Sequence, residues 1–200
     1  MTAQLAVAID ILIHAPMRMQ NLIGLQLDVH LVRPGGPRGL WHIVLPRHEV
    51  KNGEALEYEL PSATTRLVDV YLRQFRPALA PGGSRHLFIV AGGTPKSQTT
   101  LSQQIKAAIL EHVGIAMTPH QFRHFAAKLM LEHSPGAQGA TSHLLGHRNL
   151  KTTVAFYSGL DSLSAGRQFD AILQREQARA VPLRRRRTRV PPSPGAGEKS

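Results

Sequence analysis

Cysteine is absent from the 200 residues. That excludes a disulfide scaffold, a thiolate zinc site and a thiol nucleophile, and nothing points to an oxidising compartment. Aromatic residues supply only 5% of the chain and form no stacking pattern, so a basic RNA-binding module has no support. Acidic residues are scarce as well: 13 Asp+Glu stand against 24 Lys+Arg, a formal net charge of +11. Long apolar runs are missing, none approaching the roughly 20 residues of a membrane span. The N-terminus has no basic region, and Asp10 interrupts its apolar stretch, so no signal peptide is expected. These absences leave the expectation of a soluble cytoplasmic protein with an anionic partner, nucleic acid first. The 42% of hydrophobic residues suffice for one domain with a real core.

The charge is unevenly spread. Residues 181–200 hold Arg184 to Arg187, Arg189 and Lys199 against Glu198 alone, a net +5 of the +11, which leaves +6 for residues 1–180. Pro182, Pro191, Pro192 and Pro194 lie among those cations. Such a stretch cannot bury apolar surface, so it is expected to be a disordered basic tail. The part expected to fold is basic without it.

The periodicity predicts short helices over 4–14 and about 18–25, separated at Pro16. Three β-like segments follow, at 27–32, 40–45 and 55–60, with Lys51-Asn52-Gly53 as a turn signal between the last two. They predict a three-stranded antiparallel meander with Lys51 near a hairpin tip. From Ser62, a plausible N-cap, the period turns helical to about 78, and 86–90 reads as a short extended run. Helical patterns then cover roughly 98–113, 119–133, 137–146, 149–157 and 162–180. The expected class is α+β, mostly α, with a small sheet on the N-terminal side.

Four places carry candidate chemistry. Arg18 lies in an apolar context and Lys51 on a turn. Thr118-Pro119 is a helix-start signature, which puts His120 and Arg123, three apart, on one face of the first turns. An imidazole and a guanidinium then converge beside a helix N-terminus, where a phosphate is a natural occupant. In LLGHRNLKTTVAFY, Gly146 reads as the C-cap of one helix and Asn149 as the N-cap of the next, with Tyr157 closing a short helix that starts beside His147. Singly, each has a commonplace structural explanation: a surface cation, an idle turn lysine, a solvated polar face, a packed tyrosine.

Their order carries more weight. Arg18, a hairpin Lys51, His120-x-x-Arg123, Leu145-Gly146-His147 and Tyr157 closely resemble the catalytic domain of tyrosine recombinases, the phage-type integrases. The resemblance spans about 5–175, with TPHQFRHFAA and LLGHRNLKTTVAFY as its most specific parts. It implies a catalytic domain over residues 1–180 and site-specific DNA cleavage and rejoining through a 3′-phosphotyrosyl link. Tyr157 would be the nucleophile, a phenol that needs deprotonation and placement. Arg18 and Arg123 would hold the non-bridging oxygens of the phosphate. His120 would act as base or phosphate donor, and His147 would donate a further hydrogen bond. Lys51 would protonate the departing 5′-oxygen. No metal and no nucleotide cofactor is expected, since the bond energy stays in the phosphotyrosine.

Three positions depart from the family pattern. Asn21 stands where an acidic residue is usual, and His147 and Tyr157 are ten apart rather than nine. No N-terminal DNA-clamping domain is expected in the 200 residues. The resemblance further implies double-stranded DNA as partner, a nucleoid-associated location, a link to mobile elements and a homo-oligomer on DNA. The apolar positions Leu163, Phe169, Ile172 and Leu173 of the last helix are expected to dock on a neighbouring protomer. Two other readings compete. One is a truncated, non-catalytic DNA-binding remnant of an integrase. The other is a metalloprotein using the pairs His120/His124 and His143/His147.

Overall fold

A computed structural model describes residues 2–51, 53–134, 137–146 and 162–179. The centre is α1 (Ala3–His14), on which Val7, Ala8, Ile11 and Leu12 are fully buried. A helix this apolar is stable only when other elements wrap it. Here the helices Ser62–Val70, Gln98–Val113, Pro119–His133 and Ser162–Arg179 all contact it. A short α2 (Met19–Gly24) follows, with Arg18 as its N-cap in extended conformation and Leu22 driven into the core.

The sheet is an antiparallel meander, β1 (Leu31–Val32), β2 (His42–Leu45) and β3 (Leu56–Glu59), in sequential order. Its register pairs Ile43 with Tyr58 and Leu45 with Leu56. Those four are buried, while His42, Val44, Glu57 and Glu59 face outward, the period-2 alternation of a sheet with one covered face. The first strand is shorter than the sequence suggests. Asp28 adopts a left-handed φ of 63°, and the N–H groups of His30 and Leu31 both turn back to the Gln26 carbonyl. Residues 27–30 therefore form a turn, a conformation asparagine and aspartate tolerate better than other non-glycine residues.

Helix α3 (Ser62–Val70) passes through one π turn (Tyr71–Phe75) into α4 (Arg76–Leu79). Pro61 occupies the N-cap and Ser62 is the first helical residue, one position from expectation. The 86–90 run is not a strand; it makes isolated bridges at His86 and Ile89. Its backbone is clamped instead by the Gln4 amide, which donates to Ile89 O (2.9 Å) and accepts from Ile89 N (3.0 Å).

Then come α5 (Gln98–Val113), α6 (Pro119–His133), α7 (Gln138–Leu145) and α8 (Ser162–Arg179). The last packs on its own domain against α6, α7 and β3. Phe169, Ile172 and Leu173 are buried there, which corrects the expectation that they dock on a second protomer; the Leu163 side chain lies outside the described residues. Polar pairs fasten the same helix: His14 with Asp170, His133 Nε2 with Glu176 (2.8 Å) and Arg167 with Glu59 (2.9 Å). Among the described residues no helix is long and apolar enough to cross a membrane.

Candidate active site

Four of the candidate residues line one cleft of about 540 Å³: Arg18, Lys51, His120 and Arg123. They come from three places in the chain. Arg18 enters from the N-cap of α2, Lys51 from the β2–β3 connection, and the other two from the first turns of α6. The start of α6 is fixed locally. Pro119 sits at its first position, and Gln121 Oε1 accepts from both the N–H and the hydroxyl of Thr118 (2.6 and 3.0 Å). His147 and Tyr157 lie outside the described residues, as do Asn149 and the 149–157 helical pattern.

Arg123 is buried to 4% exposure and donates to two backbone carbonyls, Pro16 O at 2.7 Å and Leu145 O at 2.8 Å. Burial lowers its affinity for the proton, and the Arg18 charge acts in the same direction. The guanidinium nonetheless stays cationic at any physiological pH. Arg18 Nη1 is buried and has no hydrogen-bond partner among the described residues. A desolvated guanidinium N–H without an acceptor is costly, and an anion's oxygen would remove that cost. His120 is exposed, in edge-to-face ring contact with His124 at 4.7 Å. Its pKa is lowered, first by desolvation and then by the neighbouring His124, Arg123 and Arg18, so the neutral imidazole is favoured near neutral pH.

Two features were missed in the sequence. The first is the far wall of the cleft, formed by Gln98, Ser102, Gln103 and Lys106 of α5. Positions 98, 102 and 106 recur every four residues, alongside the buried stripe Leu101, Ile105 and Ala108, so the helical period held the signal. The second is Tyr58, whose buried hydroxyl donates to Leu144 O at 2.8 Å. Burial raises this phenol's pKa far above the usual range, although the charges of Arg123 and Arg18 oppose the shift. No local pattern announces such a contact. Tyr58 and Arg123 together hold the adjacent carbonyls of Leu144 and Leu145 at the end of α7, just ahead of His147. There Gly146 caps the helix with φ 59°. Among the described residues no group of three or more histidines and carboxylates is placed to hold a metal ion.

The fold and cleft define a helical domain with a small sheet and a cleft lined by cationic side chains. The phage integrase family model matches residues 1–162, and the chain belongs to that family. Tyrosine recombinase XerC of Pseudomonas aeruginosa strain LESB58 is 27% identical over 145 residues, 72% of this chain and 44% of the relative. A putative tyrosine recombinase XerC of the same species is 38% identical over 64 residues, 30% of this chain and 15% of the relative. The chain thus spans less than half the length of these relatives. Among solved structures, the XerH site-specific recombinase bound to difH substrate, a pre-cleavage complex, aligns with a TM-score of 0.58. That alignment shows 20% identity over 88% of this chain and 45% of the other. At that identity the likeness shows the fold, which is that of a tyrosine recombinase catalytic domain.

Proposed function

We propose that the chain is a DNA strand transferase that cleaves and rejoins double-stranded DNA at specific sites through a 3′-phosphotyrosyl intermediate. The observation that carries this reading is the convergence of Arg18, Lys51, His120 and Arg123 on one cleft, with a buried Arg18 nitrogen unpartnered among the described residues. The scissile phosphate occupies the cleft, its non-bridging oxygens facing Arg18 and Arg123. Both guanidiniums stabilise the charge that builds in the five-coordinate transition state. Neutral His120 takes the phenolic proton as the Tyr157 oxygen forms its bond to phosphorus. The bond from phosphorus to the 5′-oxygen breaks, and that oxygen receives a proton from the Lys51 ammonium. His147 donates a further hydrogen bond to the phosphate. Rejoining is the same step reversed, so energy is conserved in the phosphotyrosine.

The choice of nucleophile is supported by the other tyrosines. The chain has three. Tyr58 and Tyr71 are both 1% exposed, their hydroxyls given to Leu144 O and Leu87 O. Burial pushes the Tyr71 phenol up to about 12 and raises the Tyr58 phenol as well, so both hydroxyls are enclosed and resist ionisation. On DNA the protein works as a homo-oligomer at the nucleoid, two strands being exchanged only when two sites are paired.

The test is covalent capture. Incubated with nicked duplexes of randomised sequence, without metal or ATP, the protein is expected to form an adduct that survives denaturation, and the recovered DNA defines the site. Tyr157→Phe is expected to abolish the adduct and leave DNA binding nearly unchanged. An adduct that persists in that variant overturns the nucleophile. Binding with no adduct from the unaltered chain overturns the enzymatic reading in favour of a DNA-binding remnant.

A further inference from the structure

Lys51 sits on the connection between β2 and β3, and an exposed lysine on a free loop cannot hold a proton donor at a fixed place. The connection here is not free. Residues Arg47–Glu49 form a 3-10 turn, Val50 is buried, and Gly53 N donates to Val50 O at 2.7 Å. Arg47 Nε braces the far side on Gly53 O at 3.0 Å.

Glu49, two residues before Lys51, is held twice. Its carbonyl accepts from Asn21 Nδ2 at 3.1 Å. Its carboxylate Oε2 lies 2.9 Å from His30 Nε2, a close electrostatic contact rather than a well-aligned hydrogen bond. His30 is itself enclosed and hydrogen-bonded. It is 3% exposed, its Nδ1 accepts from Gln26 N (3.0 Å), and its carbonyl accepts from Val44 N of β2 (2.8 Å). That backbone donor leaves Nε2 to carry the proton toward Glu49. Asn21 is 8% exposed and lies one helical turn after Arg18 on the same α2 segment. The helix that delivers Arg18 to the cleft therefore also grips the turn that delivers Lys51.

We propose that Asn21, His30 and Glu49 are positioning residues that hold the Lys51 turn over the Arg18 cleft and so set the general-acid half of strand cleavage. This rests on the strand-transferase reading above. A strut of this kind acts on one step only. Protonation matters when the leaving group is an alkoxide, the anion of a group that ionises only near the value for water, about 15.7. A thiolate, with a conjugate acid near about 8.5, leaves without a proton.

The experiment compares cleavage of the captured duplex with that of the same duplex carrying sulfur at the bridging 5′-position. Lys51→Ala serves as the reference for a lost acid. Asn21→Ala and Glu49→Ala are each expected to slow oxygen-substrate cleavage by about tenfold or more, and to cleave the sulfur substrate within about twofold of wild type. Glu49→Gln, which keeps an acceptor for His30, is expected to recover most of the oxygen-substrate rate. Glu49 is partly exposed, so its variants should keep their fold, and thermal melts of all the variants run alongside. Equal losses on both substrates, or no loss on the oxygen substrate, overturn the proposal. If wild type cleaves neither duplex, or if sulfur fails to rescue Lys51→Ala, the functional reading itself falls.

Discussion

Arg123 Nη2 lies 2.8 Å from the carbonyl oxygen of Leu145, two residues ahead of His147. Its other terminal nitrogen, Nη1, reaches Pro16 O, two residues ahead of Arg18. One planar guanidinium thus ties together the chain segments that lead into two other candidate catalytic residues. The fork geometry makes this possible, since two donors leave the same group in fixed directions.

Arg123→Lys is expected to fail on both counts. An ammonium keeps the charge but cannot bridge both carbonyls, so a buried acceptor is left unpaired at a cost of about 1–3 kcal/mol. Adduct formation should fall by about 10²–10³-fold, the loss seen when one transition-state donor is removed. A melt and a single-turnover cleavage assay read the two effects, and a wild-type adduct rate in this variant contradicts the role.

The His120 environment fixes the sign of a pH effect. Desolvation first, then His124, Arg123 and Arg18, lower its pKa below the ordinary imidazole value. With the neutral ring as base, cleavage is expected to stay flat through neutral pH and fall as pH drops through that depressed value, by about tenfold per unit. His124→Gln removes one source of the depression while desolvation remains. Its acid limb should move to higher pH, measured as single-turnover rate against pH. A limb that stays in place, or moves down, rules out this electrostatic account.

Much of this site was legible because it is local. Thr118 and Pro119 spell a helix start, and that start alone puts His120 and Arg123 on one face. The β-like segments at 40–45 and 55–60 contain β2 and β3, and Lys51-Asn52-Gly53 marked the connection between them. One misreading is local and the others come from contacts distant in sequence. The left-handed Asp28 turned 27–30 away from the sheet, and the remote Gln4 amide took both backbone hydrogen bonds of Ile89 in the 86–90 run. Nothing near Tyr58 in the sequence points to its contact, because its partner, Leu144, is remote in the chain. The last helix offered an apolar stripe that fits either its own core or a neighbour. The charge pairs to His14, Glu59 and His133 that accompany its docking are invisible to periodicity.

Tyr58 and Tyr157 make opposite predictions. Tyr58→Phe leaves the Leu144 carbonyl buried without its donor, a destabilisation of about 1–3 kcal/mol. Because the Tyr58 phenol is buried and its pKa is raised, the variant should still form the covalent adduct, at a reduced rate through the loosened end of α7. Loss of the adduct altogether in Tyr58→Phe, with the fold intact by circular dichroism, would reassign the chemistry.

Gly146 tests how tightly the path to His147 is drawn. Its φ of 59° lies in the left-handed region, and a Cβ there would meet Leu56 Cδ2 at 3.0 Å and Cδ1 at 3.1 Å. Gly146→Ala therefore carries a backbone cost of about 1 kcal/mol together with a clash that Leu56 must yield to. The variant should melt lower. Its cleavage should drop more than its DNA binding, because the displaced residue precedes His147 and does not itself touch the phosphate. Pairing it with Leu56→Val, which trims the crowding but not the strain, should restore part of the stability. A double variant no more stable than Gly146→Ala alone would place the whole cost in the backbone conformation.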